Sequence, residues 1–563
     1  MQHPTSRRPE RSSLATLAAL LLGAAGASTL ASSCGGDATG AGGSSSSTSG
    51  GPVDTGAGTG GPLPPAPSCK AAPQGSATAQ KPALLLTLKD RWHEAWLASP
   101  AVADLDGDGT KEIIVARDER LEVWGADGAL RWTHDAKGRI WSSPVVADLR
   151  GDAKLEVAIA SREQVTVLDA SGAVMSGFPV TWEDEMRSLA AADVDGDGQL
   201  DLIAAPGHSS PTDMMIVWHA GGAVMKGFPP NAAGVSGCAA DGKCYLAGAY
   251  DQNVAAGDLD GDGKADIVVG QDDAYLSIER STGEAFDANA MFPAKKTPGV
   301  RYLLDLALAK QGYADDEETA LQAHFTNSAP AIADLDGDGT PEVVILGSVQ
   351  NASQNNRKLG VALWALHKDA SRLAGWESPF YVSPYLSGLW DFDGTNIVAE
   401  TNQVTVADLD PTHPGPELLF AGFDGKIHAV TADKTELWSL TYTTDPNVLT
   451  GGVVVGDLSG DGIPEIVFAT YSTDQGKGAL FMLDGGGKLL HEIPLPRRGA
   501  MPVPALADVN GDGTVEIVVS LKDAEDKVES VLVYTVPGSA ENCLLWPTGR
   551  GNLLRNGWVR AAD

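Results

Sequence analysis

A chain of 563 residues with 43% hydrophobic and 20% charged residues has the apolar content for a sizeable core, which excludes wholesale disorder. Its 40 Lys and Arg against 74 Asp and Glu give a formal net charge of -34, the wrong sign for a nucleic-acid binder and suited to holding cations. Five Cys are too few for a disulfide framework, and 66 Gly with 33 Pro mark a turn-rich rather than a helical chain.

Arg7, Arg8 and Arg11 precede an apolar run from Leu14 to Ala27 and then small residues up to Cys34. Residues 1–33 therefore read as an export signal, its apolar run too short to span a bilayer. Leu30-Ala31-Ser32-Ser33-Cys34 resembles the bacterial lipobox, with Leu30 one place further from the Cys than usual, and the resemblance implies lipidation of Cys34. Residues 34–68, dominated by Gly, Ser, Thr, Ala and Pro, read as a flexible tether. The expected layout is an anchor, a tether and a folded body over residues 69–563. Such a protein is exported and displayed at the periplasm or cell surface, touching the membrane only through its lipid, or else secreted.

The segment SPAVADLDGDGTKEIIVA from Ser99 recurs eight times, with lead aspartates at Asp104, Asp148, Asp193, Asp258, Asp334, Asp408, Asp457 and Asp508. Spacings of 44 to 51 residues match a four-stranded propeller blade, and spacings of 65 to 76 match blades carrying insertions. Period-2 alternation between Gly and Asp turns predicts strands throughout, with one helix candidate at Val300–Gln311. The strand from Ala83 comes ahead of the first loop, while the last blade lacks an outer strand; pairing the two closes the ring. The expected fold is an all-β propeller, eight blades favoured and seven compatible. Cys69 and Cys543 flank that closure, and in a chain-entropy view their disulfide is worth roughly 6 kcal/mol. Cys238 and Cys244 form the other natural pair.

Each repeat carries the loop D-x-D-G-D-G-x-x-D/E, whose hard oxygen ligands around a sharp turn suit Ca2+. The first loop offers Asp104, Asp106, Asp108, Glu112 and the Thr110 carbonyl. The third offers Asp193, Asp195, Asp197 and Asp201; the fourth, Asp258, Asp260, Asp262 and Asp266; the fifth, Asp334, Asp336, Asp338 and Glu342. The seventh keeps Asp457, Ser459, Asp461 and Glu465, and the eighth Asp508, Asn510, Asp512 and Glu516. Two loops are degenerate. The second has Arg150 at position 3, leaving Asp148, Asp152 and Glu156, and its guanidinium can stand in for cation charge. The sixth has an extra residue and Thr412, leaving Asp408, Asp410 and Glu417. An EF-hand needs Glu at position 12; here that place is apolar in all eight loops, from Val115 to Val519.

From about residue 80 to 540 these motifs resemble the FG-GAP or VCBS repeat proteins, whose blades build the integrin alpha-subunit propeller. The resemblance implies calcium in loops joining first to second strands. None of the ten His pairs at metal-ligand spacing, and no HExxH, GxSxG or P-loop pattern occurs, so no catalytic constellation is legible. Insertions at 230–252, 287–327 and 377–402 are expected on the face opposite the calcium loops, with Trp376, Phe380, Tyr381, Tyr385 and Trp390 as candidate ligand contacts for a protein or glycan. The expected function is an extracytoplasmic binding or adhesion module. The alternatives are an enzyme of the rhamnogalacturonan lyase type and a structural surface protein.

Overall fold

The computed structural model describes residues 67–559 apart from 91, 184, 208–214, 230–253, 272–273, 312–319, 326–327, 352–355, 389–401, 524–527 and 542. Cys34, Cys238, Cys244 and Trp390, with the signal and nearly all of the tether, lie outside the described residues.

β-branched and aromatic runs between Gly and Asp turns form short antiparallel strands, and these assemble into an eight-bladed propeller. Blade 1 runs Ala101–Ala103, Glu112–Arg117, Arg120–Trp124 and Leu130–Asp135, in that order from the inside out. Its two inner strands are buried throughout, whereas the outermost alternates towards solvent. Antiparallel succession puts the connections from first to second and third to fourth strands at one end of every blade. The remaining connections lie at the other end. Apolar side chains pack between neighbouring sheets, as where Val145, Ala158 and Val167 of blade 2 meet Leu189, Leu202 and Ile216 of blade 3. In blades 3 and 4 the described residues form three strands, and single bridges, Trp218 to Val224 and Glu279 to Ala285, mark the fourth position.

Blade 8 is built from both ends of the chain. Its strands Ala505–Ala507, Glu516–Ser520 and Val531–Thr535 are completed by Ala83–Leu88, which pairs antiparallel with Val531–Thr535. A disulfide joins Cys69 to Cys543 beside this closure, Cα to Cα 5.5 Å. Where the closing strand turns into blade 1, fully buried Arg117 donates to Asp90 Oδ2 at 3.3 Å and to the carbonyls of Leu521, Asp523 and Ser530 at 2.8 to 3.0 Å.

The C-terminal segment 543–559 fills the axis of the ring. An innermost strand has no neighbour on its axial side, so its N–H and C=O groups need partners from elsewhere. The tail supplies them. Its carbonyls at Pro547, Leu553, Leu554, Asn556 and Gly557 accept from Leu506, Val146, Ala191, Ala256 and Ile332, at 2.7 to 3.0 Å. Trp546 pairs with Val455, Thr548 Oγ1 donates to Pro100 O, and Gln403 Oε1 accepts from Arg550 N, so all eight blades are touched. Two fully buried arginines cap the carbonyls that converge at the starts of the innermost strands. Arg555 donates to Pro100 O, Pro144 O and Gly549 O, and Arg550 to Val254 O and Pro330 O. Burial pulls both guanidinium pKa values down to about 9, which still leaves them charged at neutral pH.

The helix expected over Val300–Gln311 is a correction. Only Leu306–Ala309 is helical, capped by Asp305 Oδ1, which accepts from Ala307 N at 2.8 Å. Residues before it are drawn into bridges, Arg301 to Tyr275 and Leu303 to Gln322, because Tyr302 is buried edge-on against Phe325 and Trp364.

Arg555→Met is expected to cost about 3 kcal/mol in urea unfolding, since it strands several buried carbonyls. The same change at half-exposed Arg139 is expected to cost under about 1 kcal/mol. Equal losses at the two positions would remove the axial role assigned to Arg555.

Candidate metal centres

All eight acidic loops join the first strand of a blade to its second, at one face of the ring. The lead Asp organises the turn. Asp104 accepts from Gly107 N at 2.7 Å, Asp108 N at 3.2 Å and Gly109 N at 2.9 Å, and the same pattern recurs at Asp193, Asp258 and Asp508. Gly107 and Gly109 hold φ of 77° and 90° with open space around a notional Cβ, so glycine is needed there for the backbone rather than for room. The acid at position 9 opens the second strand and reaches back across the loop. One of its oxygens accepts from the amide of position 2 in every loop, from Leu105 N to Glu112 at 2.9 Å through Val509 N to Glu516 at 2.9 Å. Position 2 is a buried Leu or Val throughout, and position 12 lies buried within the second strand, which separates these loops from EF-hands.

The family profile for FG-GAP-like repeats matches residues 104–159 and 457–519, and that for FG-GAP repeats matches 252–285. The chain carries FG-GAP repeats. No curated protein matches it. Among solved structures it is similar to the V. cholerae biofilm matrix protein Bap1, at 16% identity over 85% of this chain and 97% of that one, TM-score 0.38. It is also similar to the Bacillus licheniformis rhamnogalacturonan lyase PL11, at 16% identity over 86% and 81%, TM-score 0.45. A third likeness is to the quinohemoprotein alcohol dehydrogenase from Comamonas testosteroni, at 13% identity over 82% and 77%, TM-score 0.45. All three are too distant to carry a function across.

Several of the FG-GAP loops could hold a metal ion. Ligand oxygens lie within 4.8 Å of one another in Asp104/Asp106/Asp108, Asp193/Asp195/Asp197, Asp258/Asp260/Asp262 and Asp334/Asp336/Glu342. The donor set is carboxylate oxygen throughout, as a hard divalent cation requires. Glu342, Glu417 and Glu516 are fully buried, each with one oxygen engaged by the position-2 amide and the other without a hydrogen bond. Burial, helped by the neighbouring carboxylates, pushes Asp266 up to about 8 and Asp201, Glu417, Glu465 and Glu516 up to about 7; Glu112, Glu156 and Glu342 rise for the same reason. An arrangement this costly for bare carboxylates fits a cation.

The remaining loops differ in instructive ways. Thr110 does not stand clear of the first loop, because its N and Oγ1 both donate to Asp108 Oδ1, at 2.8 and 2.7 Å. In the second loop Arg150 donates to Ser176 O at 2.8 Å, and Asp148 still caps Asp152 N and Ala153 N. In the sixth, Asp410 is drawn onto Thr412 and onto His413 Nδ1 at 3.0 Å, leaving Asp408 Oδ1 buried without a hydrogen bond. The seventh is covered by the start of the folded body. Ala72 N donates to Gly460 O and Ser76 N to Ser459 O, both at 2.8 Å, and Asp457 is fully buried.

One of the expected ligand aromatics, Trp376, lies at the other end of its blade. Trp376 precedes the fourth strand of blade 5, Phe380–Val382, so it lies at the metal-loop end; it is fully buried and donates to Ala432 O at 2.7 Å. Phe380 packs edge-on against Phe420, and Tyr385 edge-on against Phe423 at 5.9 Å. Tyr381 is the most exposed, at 36%, and its hydroxyl donates to Leu359 O at 2.5 Å. The opposite face instead shows a cluster that sequence reasoning missed. Trp96 and Trp141 lie 5.0 Å apart, with Lys522 Nζ 3.2 Å from the Trp96 ring and Arg187 4.3 Å from the Trp141 ring. A further acidic group, Asp90, His93 and Glu122, is held by Arg117, and its Glu122 is pushed up to about 8 by burial and by Asp90. A buried arginine supplies the positive charge there that a metal would bring.

Because the position-9 acids have folded pKa values above their unfolded values of 3.8 for Asp and 4.5 for Glu, the metal-free protein binds more protons folded than unfolded between about pH 4 and 8. Its stability should fall as pH rises through that window. In EDTA the melting temperature is expected to be higher at pH 5 than at pH 8, with saturating calcium removing most of the gap. Coincident EDTA curves at the two pH values would contradict the burial of these carboxyls.

Proposed function

We propose that the chain is an exported, lipid-anchored, calcium-stabilised propeller that acts as a binding or adhesion module. The observation that carries the calcium reading is the recurrence of one loop around the ring, each closed by a buried acid, several with an oxygen left over. Bound Ca2+ would be held by the carboxylates at positions 1, 3, 5 and 9, offsetting part of the net charge of -34. Export rests on the signal-like residues 1–33, and anchorage on Cys34 and the tether that follows. A protein or glycan ligand is assigned to the face opposite the loops. The tail fills the axis, and the long connections of blades 3 to 5 leave from that face.

A lyase needs a base open to its substrate. Lys522, pulled down to about 8 by burial, has a side chain only 1% exposed and bonded to Glu94, so it does not meet that need.

Six well-formed sites, each held at about a hundred times its Kd, would add about 2.7 kcal/mol apiece, so calcium is expected to raise the melting temperature clearly and EDTA to lower it. Asp262→Ala should lose about one such increment and Asp410→Ala little, because Asp410 is already taken up by Thr412 and His413. A melting curve indifferent to both EDTA and calcium would end the calcium reading. For the ligand, a glycan array and a lyase assay on pectic polymers decide between classes: binding without turnover supports the module, and turnover supports the enzyme.

A further inference from the structure

The closing strand leaves blade 8 and meets blade 1 through two acids and one buried cation. The register of the second and third strands puts Val115, Arg117, Arg120, Glu122 and Trp124 on one face of blade 1, where Val115 and Trp124 share an apolar cluster with Leu88 of the closing strand and with Val531 and Val533 of blade 8. Asp90, two residues beyond that strand, and Glu122 are both buried. Asp90 accepts from Arg117 Nε at 3.3 Å, and its two oxygens lie 3.0 and 3.1 Å from His93 Nδ1. Its amide donates to Ser530 Oγ at 2.8 Å, which fixes the end of the strand to blade 8. Glu122 accepts from Trp124 Nε1 at 3.2 Å and shares a hydrogen bond with Asp90. An ionised carboxylate only accepts, so a hydrogen bond between two carboxyls requires a proton. Asp90 is already engaged by His93 and Arg117, which leaves the proton to Glu122. The charges agree. Arg117 directs its remaining donors to Ser520 Oγ and to the carbonyls of Leu521, Asp523 and Ser530, and it brings one positive charge to two acids. The other charges on the packed elements are taken: Arg120 by Asp135 at 2.7 Å, Asp118 by Arg139, Glu94 by Lys522 and Arg498, Asp523 by Arg498 and Glu529 by Arg497, while Lys89 and Glu119 are exposed.

We propose that Asp90 and Glu122 form a proton-operated latch on the ring closure, holding the end of the strand Ala83–Leu88 to blade 1 while one shared proton is present and releasing it when that proton is lost. Burial, with Asp90 alongside, raises the Glu122 carboxyl to about 8. Once the strand lifts away, Glu122 meets water and returns towards its ordinary value of 4.5. The closed form therefore binds the proton more tightly, so the latch is at full strength below about pH 4.5 and weakens as pH rises through 8. Loss of the proton leaves two carboxylates facing each other across a single guanidinium, in a site too buried to solvate them. Release bares the outer edge of Val531–Thr535, and the disulfide at Cys69 keeps the freed segment beside it, so closure is reversible. None of these residues belongs to an acidic loop, so the latch is independent of any cation held there.

Hydrogen exchange of the full chain, followed by mass spectrometry on residues 83–90 and corrected for the intrinsic rate at each pH, reads the latch directly. In saturating calcium, opening of this segment is expected to become about tenfold more frequent from pH 7 to pH 9, while the strand Gln164–Leu168 of blade 2 keeps its protection. Glu122→Gln keeps a neutral hydrogen-bonding group in place. It is expected to remove the pH dependence and to hold the segment at pH 9 as firmly as the unmodified chain holds it at pH 7. If that variant does not fold, Asp90→Asn, whose amide donates to an ionised Glu122, is expected to lose the pH dependence likewise. Equal protection of 83–90 at pH 7 and pH 9 in the unmodified chain overturns the proposal, as does a pH dependence that persists unchanged in Glu122→Gln.

Discussion

The constraint on which the rest of this molecule depends is the inner edge of its ring. Eight first strands point the same way around an axis, each with one side unpaired, and their leading carbonyls converge there. Left bare, that edge would bury unsatisfied backbone groups around a hole too narrow to solvate them well. The C-terminal segment resolves this by pairing with strand after strand, and Arg550 and Arg555 place donors against the carbonyls. The outer closure is a second, related solution. The strand Ala83–Leu88 completes the last blade, while Arg117 ties its exit to blades 1 and 8. Both solutions use residues remote in sequence, so the ring is finished only when both ends are in place. The disulfide from Cys69 to Cys543 links the start of the closing segment to the start of the axial one.

On that frame the acidic loops are local and nearly autonomous. Each is held by its own lead Asp and by the position-9 acid reaching the position-2 amide, while the position-2 side chain is sunk in the core. The acid that could bind a cation is therefore also the residue that opens the second strand. Charge at the loop and register of the sheet are coupled through one side chain. Through that coupling a cation held at the loop would act on the stability of a whole blade and would offset the burial of groups as costly as Asp266 and Glu516.

What could be read from the chain alone follows the same division. Features that repeat were legible: the loops, the period-2 strands, the blade spacing, and the extra first strand that had to pair somewhere. Features that occur once were not. The tail from Trp546 meets strands of successive blades, so it has no period, and its sequence resembles a family-type terminal segment without showing what that segment does. Arg117, Asp90 and Glu122 lie far enough apart to form no motif, and only the ring closure brings them together. Trp376 was misplaced because the fourth strand of blade 5 begins at Phe380, later than the pattern suggested, which moves the residues before it to the opposite end of the blade. The helix at Val300–Gln311 failed for a tertiary reason, since core packing of Tyr302 outweighs local propensity.

The two ends of the blades then divide the labour of the molecule. At one end lie the acidic loops, alike in backbone and differing in the residues that surround them. At the other end Trp96, Trp141, Tyr471 and Met501 form a buried cluster, beside arginines already paired with Glu94, Asp118, Glu185 and Asp523. The connections at that face vary in length from blade to blade. The propeller thus acts as a rigid collar. Its repeated half sets stability through charge, and its unrepeated half is free to diverge without disturbing the closure.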